Sequence, residues 1–267
     1  MHGRPGAPPL SEIRRALANP ACDPAYIDAL RRDPRESVAS LLDSAERRSS
    51  RLEQQREHHE EMLGIERELH ATGRFVIAGV DEAGLGPLAG PIVAAAVILG
   101  DAIGLHGIDD SKRLDAGKRA RLAREIHERA AGISIGLAEV EEIDELNVYH
   151  AGLLAMRRAV DGLPIRPDHV LVDARRIPDI GIEQSAYIRG DARSLSIAAA
   201  SIIAKTHRDS LMEDLDRTYP GYGFRRHKGY GTPEHQAALR RLGASVVHRT
   251  SYDAVRELVA GGRQQDD

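Results

Sequence analysis

The larger part of this chain is predicted to be an α/β domain with a mixed sheet, on three observations. From residue 75 to about 217, apolar runs of strand length alternate with helical patterns. The first two runs, 75–81 and 91–99, follow one another without a helix, as hairpin-like strands do, so the sheet is not wholly parallel. Strand-like runs also deliver acids near their C-terminal ends, where open α/β sheets place their ligands.

At 267 residues, 42% hydrophobic and 29% charged, the chain can hold one sizeable core plus an appendage. No apolar run approaches the roughly 18 residues of a membrane-spanning helix. The start, Met1-His2-Gly3-Arg4-Pro5, lacks the apolar stretch of a signal peptide. A single cysteine, Cys22, excludes an internal disulfide framework and a thiolate zinc cluster, and a cytoplasmic location is expected. The formal net charge of −4 argues against a generally basic nucleic-acid binder. Its distribution is uneven, however. Between Pro220 and Arg249 six cations (Arg225, Arg226, Lys228, Arg240, Arg241 and Arg249) face one acid, Glu234, which reads as a phosphate footprint or as a solvated helix face.

The elements follow in order. Pro5, Pro8, Pro9, Pro20, Pro24 and Pro34 break the first part into short helical pieces, one capped at Ser11 and another after Asp23. From Arg35 a long helical pattern sets Val38, Leu41, Leu42 and Ala45 on one face, becomes polar nearly all round between Glu46 and Glu61, and ends at Gly73. Strands at 75–81 and 91–99 lead to a loop through Asp109-Asp110-Ser111-Lys112, a helix near 115–131 and a strand at 133–140. A helix around 142–161, strands at 169–173 and 184–189, and a helix from about 195 to 217 complete the alternation. The last 45 residues read as helices, one opening near Thr232-Pro233-Glu234, and the tail 261–267 is expected to be disordered.

The most informative segment is Val76-Ile77-Ala78-Gly79-Val80-Asp81-Glu82-Ala83-Gly84-Leu85-Gly86-Pro87-Leu88-Ala89-Gly90-Pro91. A buried strand ends in two adjacent carboxylates and runs into a loop whose glycines let main-chain N–H groups approach a phosphate or a sugar hydroxyl. Val170-Leu171-Val172-Asp173 repeats the theme, and Gly190-Asp191 lies between a strand and a helix. Asp81, Glu82, Asp173 and Asp191 would converge at one sheet edge, where mutual repulsion makes divalent cations the natural means of holding them together. Read singly, each has a plainer role. Asp173 could cap a turn, and Asp191 could serve the following helix, although Ser194 is the nearer cap. Asp209, beside Arg208, is the rival fourth acid.

Asp81-Glu82-Ala83-Gly84-x-Gly86-Pro87-Leu88-Ala89-Gly90-Pro91, Asp110-Ser111-Lys112 before Leu114, Ser196 through Lys205, Tyr219-Pro220 and His227-Lys228-Gly229-Tyr230-Gly231-Thr232 together resemble bacterial ribonuclease HII, in the family's order and over about residues 72–257. The resemblance implies a ribonuclease H-like mixed five-stranded sheet flanked by helices. The implied boundaries are an N-terminal helical extension at 1–70, a catalytic core at 71–218, a C-terminal helical substrate-binding segment at 219–260 and the tail. It also implies cleavage of the RNA strand of RNA/DNA hybrids and cutting 5′ to single ribonucleotides in duplex DNA, leaving 5′-phosphate and 3′-hydroxyl ends. The four metal-binding acids become Asp81, Glu82, Asp173 and Asp191 rather than Asp209, with two Mg²⁺ or Mn²⁺ ions as cofactors. Substrate contacts fall on Gly84, Leu85, Gly86, Ser111, Lys112, Ser201, Lys205, Lys228 and Tyr230, the loop and the tyrosine reading the 2′-hydroxyl. Leu85 stands where the family pattern has arginine, so a guanidinium contact to phosphate is lost while backbone contacts survive.

The implied partners are the hybrid and the ribonucleotide-containing duplex, with no membrane and a monomeric state; a protein partner on the N-terminal helix stays open. Rival readings are a ribonuclease HIII-like enzyme, a non-catalytic hybrid-binding module and an interaction scaffold built on the 35–70 helix.

Overall fold

The computed structural model describes residues 8–19 and 21–262. It divides into two compact units, one up to Glu60 and one from Glu61 onward. In the first, helices α1 (Leu10–Leu17), α2 (Pro24–Arg31) and α3 (Glu36–Met62) enclose a small core of Ile13, Leu30, Val38 and Leu42. Asp23 caps α2 by accepting the Ala25 N–H at 2.9 Å, with Pro24 at the first helical position.

The helical pattern expected to run unbroken to Gly73 is interrupted at Leu63, after which α4 (Gly64–Ala71) follows. The second unit continues with β1 (Ile77–Ala83), β2 (Ile92–Ile98), α5 (Ala116–Arg129), β3 (Gly132–Ala138), α6 (Val140–Asp161), β4 (His169–Asp173), β5 (Glu183–Tyr187) and α7 (Leu195–Thr218). Then come α8 (Phe224–His227), α9 (Pro233–Leu242) and α10 (Asp253–Gly262). Since α10 carries on through Gly262, only residues 263–267 of the expected disordered tail remain beyond it, and they lie outside the described residues with the first seven and Pro20.

The sheet order is β3-β2-β1-β4-β5, with β1, β2 and β3 antiparallel in sequence and β4 and β5 parallel to β1 and to each other. The mixed sheet is therefore an antiparallel meander extended by two crossover strands. The helices cover both of its faces. One core packs α5 and α7 residues such as Leu122, Ile126, Ala199 and Ile203 against Ala95 and Val97, and the other packs Ile143, Ala155 and Met156 of α6 against Ala94, Ala96, Val170 and Val172. This two-sided cover is why β2 is buried along its whole length and reads as a continuous apolar run. Helix α7 presses directly on β1: a Cβ at Gly79 would stand 2.0 Å from the Ser196 carbonyl carbon.

Strand boundaries differ from expectation where local contacts decide. β1 begins two residues later than predicted, because the Phe75 and Val76 N–H groups donate to the Asp168 carboxylate, and it runs on through Ala83, which pairs with Val93. Asp81 and Glu82 therefore sit inside the strand, paired with Ala95 and Ala94, rather than at its tip. β3 stops at Ala138 because Glu139 opens α6 in a reciprocal capping box with Glu142. β5 ends at Tyr187, two residues before Arg189 turns the chain with a φ of 56°.

Candidate active site

Val80 pairs with Val172 in the parallel register, so the next residues along, Asp81 and Asp173, stand side by side, each still paired on its other edge, with Ala95 and Tyr187. Asp173 accepts the Gly190 N–H at 2.6 Å, tying the strand end to the turn that carries Asp191. Ser194 caps α7 through the Ile197 N–H, so Asp191 is spared that duty. Ser194 is held in turn by Glu66, a buried acid that accepts its hydroxyl at 2.6 Å and the Ser196 N–H at 2.9 Å. A carboxylate suits the positive end of a helix.

Asp81, Glu82 and Asp173 line one cavity of about 260 Å³ together with Gly84, Leu85, Gly86, Ser111, Lys112, Ser201, Lys205, Arg208 and Tyr230. Asp191 stands beside it, 3.5 Å from Lys112 Nζ. Lys228 is the expected substrate residue that does not reach the cavity lining: its Nζ binds Glu213 at 2.8 Å and the Asp209 carbonyl at 3.2 Å. Asp209 is occupied by Lys205 Nζ at 2.5 Å and Arg119 at 3.8 Å.

The acids are held against their own repulsion. Burial, then Glu82 and Asp173, push the Asp81 carboxyl well above the ordinary range, with Ser201 opposing. Burial pushes Glu82 up to about 7; Arg175, with Nη2 at 3.6 Å, opposes the rise and Asp173 adds to it. Asp191 is raised by burial, then by Asp110 and Asp173. Glu82 Oε2 is buried without a hydrogen-bond partner, as is Arg175 Nη1. Among the described residues, no three His, Cys, Asp or Glu side chains are gathered closely enough to hold a metal ion as they stand. The donor set nonetheless fits a hard divalent cation in its chemistry, being all oxygen, multiply charged and left with a buried lone oxygen.

Two buried arginines that sequence reasoning missed hold the glycine-rich loop. Arg208, from α7, donates to the carbonyls of Pro91 at 3.0 Å, Lys228 at 3.0 Å and Ala89 at 3.1 Å. Arg249 donates to the carbonyls of Gly84, Leu85 and Gly90 at 2.6–3.0 Å and is wholly buried. That corrects its place in the basic footprint, where Arg226 is also engaged, by Glu234. Gly84 has a φ of +101° and lies so close to Arg208 that a Cβ would stand 2.1 Å from Nε.

Behind Tyr230, a residue 46% exposed, three histidines interlock. His248 Nδ1 accepts the Ser245 N–H at 3.0 Å, so its Nε2–H donates to His235 Nε2 at 3.1 Å, and His235 Nδ1–H donates to the Tyr230 carbonyl at 3.0 Å. His227 stacks on His235 with centroids 4.5 Å apart. Every partner in this chain requires neutral imidazoles. Burial, followed by His235, lowers His248 to about 4.

A mixed five-stranded sheet that gathers acids on its central strands beside a glycine loop defines a metal-dependent nuclease of the ribonuclease H-like class. A sequence model of ribonuclease HII matches residues 78–255, and one of the ribonuclease HII N-terminal domain matches residues 9–70. The chain is 52% identical to the ribonuclease HII of Myxococcus xanthus over 232 residues, 86% of this chain and 79% of that one. It is 52% identical to that of Geobacillus thermodenitrificans over 235 residues, 88% and 90% of the two chains. Its structure is similar to the crystal structure of ribonuclease H2 from Pyrococcus horikoshii, with a TM-score of 0.60 and 27% identity over 70% of this chain and 99% of that one. The chain belongs to the ribonuclease HII family, and is a hydrolytic, metal-dependent endoribonuclease of the ribonuclease H type. No helix among the described residues is long and apolar enough to cross a membrane.

Proposed function

We propose that this chain cuts the RNA strand of RNA/DNA hybrids and also cuts 5′ to single ribonucleotides embedded in duplex DNA, leaving 5′-phosphate and 3′-hydroxyl ends. One observation carries this reading: the acids Asp81, Glu82 and Asp173 share a cavity with the loop Gly84-Leu85-Gly86 and Tyr230, so reacting groups and sugar-reading groups face the same space.

Asp81, Glu82, Asp173 and Asp191 would hold two divalent cations, Mg²⁺ or Mn²⁺. Bound there, such ions supply an activated water and charge stabilisation at the departing 3′ oxygen. The chain's own residues do the rest. Lys112 and Arg175, each paired with one of the acids, offset negative charge and stand beside the place where a phosphate must come. The loop offers backbone N–H groups to a 2′-hydroxyl, the group that separates RNA from DNA at one nucleotide. The Tyr230 ring, exposed beside Gly86, offers a hydroxyl and a surface for the neighbouring deoxyribose. Ser111 and Ser201, joined at 2.9 Å, and Lys205 complete the polar wall.

In this reading residues 71–218 form the catalytic core, 219–260 form a helical segment closing over the duplex, and 1–70 form an extension that supplies none of the catalytic acids, although its Glu66 holds the start of α7. The test is incubation with duplex DNA containing one ribonucleotide and, in parallel, with a long RNA/DNA hybrid, in Mg²⁺ and then Mn²⁺, beside an Asp81→Asn control, with the cut mapped. Cleavage 5′ to the ribonucleotide that vanishes in the control is expected. Cleavage of long hybrids alone would indicate ribonuclease HIII-like selectivity, and binding without cleavage would indicate a hybrid-binding module.

A further inference from the structure

The carbonyls of the glycine-rich loop are held from one side. That of Gly84 accepts Arg249 Nη2 at 2.6 Å, and that of Leu85 accepts Arg249 Nη1 at 3.0 Å and the Tyr252 hydroxyl at 2.7 Å. The same hydroxyl accepts Arg249 Nη1 at 3.0 Å, so its own proton is committed to Leu85. A trans peptide is planar, and its N–H points away from its C=O. The Gly84 carbonyl therefore sets the direction of the Leu85 N–H, and the Leu85 carbonyl sets that of the Gly86 N–H. With both carbonyls turned toward Arg249, both N–H groups turn the other way, and no hydrogen bond among the described residues uses either. Leu85 and Gly86 line the cavity that holds Asp81 and Tyr230.

Arg249 cannot itself meet substrate. It is wholly buried, and Gly90 takes its remaining donors at 2.7 and 3.0 Å. Leu85 brings no cation to the loop, so recognition there falls to the backbone, and the aim of two N–H groups decides its strength. We infer that Arg249, assisted by Tyr252, is a specificity-determining positioning residue: it aims the Leu85 and Gly86 N–H groups at the ribonucleotide 2′-hydroxyl without touching it. The inference rests on the proposed reading of the 2′-hydroxyl by this loop.

A purely structural arginine would affect stability and leave discrimination alone. The deciding measurement is fluorescence anisotropy of the full chain, in EDTA, with two duplexes that differ by a single 2′-hydroxyl, alongside thermal melting. Arg249→Lys, which keeps the charge but not the fork, is expected to weaken binding of the ribonucleotide duplex about tenfold and leave the all-DNA duplex within about twofold. Tyr252→Phe, which removes one hydroxyl, is expected to cost about threefold on the ribonucleotide duplex alone. Wild-type discrimination in both variants overturns the inference. If Arg249→Lys does not fold, Tyr252→Phe decides by the same criterion. A wild-type chain that does not distinguish the duplexes removes the 2′-hydroxyl reading and the inference with it, a result separable from discrimination that survives in the variants.

Discussion

In the site cavity and the turn beside it, Asp81, Glu82 and Asp191 are buried among like charges, with Glu82 Oε2 left without a hydrogen bond. Nearby, Arg208 and Arg249 are buried just as deeply, yet their donors are taken up by backbone carbonyls. Both arrangements cost desolvation free energy, and only the second recovers much of it within the protein. Unrecovered buried charge marks the place where something from outside must bind; recovered charge marks the frame that holds that place in shape.

The contrast breaks if altering the acids harms stability more than chemistry, or if altering the arginines does the reverse. The largest effect is expected for Asp81→Asn: cleavage of a ribonucleotide-containing duplex should fall by about a thousandfold or more, measured as single-turnover rate, while circular dichroism stays native. Arg208→Met, of similar length but without donors, strands three carbonyls and should destabilise the fold by about 3–5 kcal/mol in urea unfolding. A loss near zero would mean those carbonyls find water.

Glu82→Gln should act in the opposite direction. The folded group titrates near 7, above its ordinary value of 4.5, so its contribution to stability is fully present below 4.5 and is lost as pH rises through 7. Glutamine escapes that loss, and the variant should be more stable than wild type by about 1–3 kcal/mol at pH 8.5, with the gain vanishing near pH 4. His248 behaves inversely: its folded value, about 4, lies below the ordinary 6.5, so the stability it contributes is present above 6.5 and is lost as pH falls toward 4. Its imidazole proton resonance should titrate near 4 rather than 6.5. The smallest effect is expected for Leu85→Arg, which adds one phosphate contact: the slope of log affinity against log salt should steepen by about 0.9.

Much of this site was legible in the sequence because it is local. The pair Asp81-Glu82 and the loop behind it are contiguous, and Asp173 ends an apolar run whose period fixes where it emerges. What escaped was set by distant partners. Arg249 was counted among exposed cations, yet its acceptors lie up to 165 positions away. Glu66 lay past the polar stretch, in the last turns of the expected helix, and nothing near it in sequence showed that it would meet Ser194. Arg208 did leave a trace: Ala204, Arg208 and Met212 recur at four-residue spacing, so an arginine occupies a helix face that is otherwise buried. The ends of β1 also escaped, because its last pairings depend on β2 rather than on its own composition.

The order in which the sheet is threaded carries a consequence for the newly made chain. β1, β2 and β3 pair as neighbours in sequence and can form a meander early, whereas β4 joins β1 only after a long crossover. Asp173 therefore reaches Asp81 late, and the loop beside them is fastened later still, by Arg249, which follows all four acids in the chain. During synthesis from the N-terminus, a ribosome-bound fragment can carry Asp81, Glu82, Asp173 and Asp191 and still lack the fastening of its loop. The nuclease is completed only once Arg249 has emerged to fasten that loop.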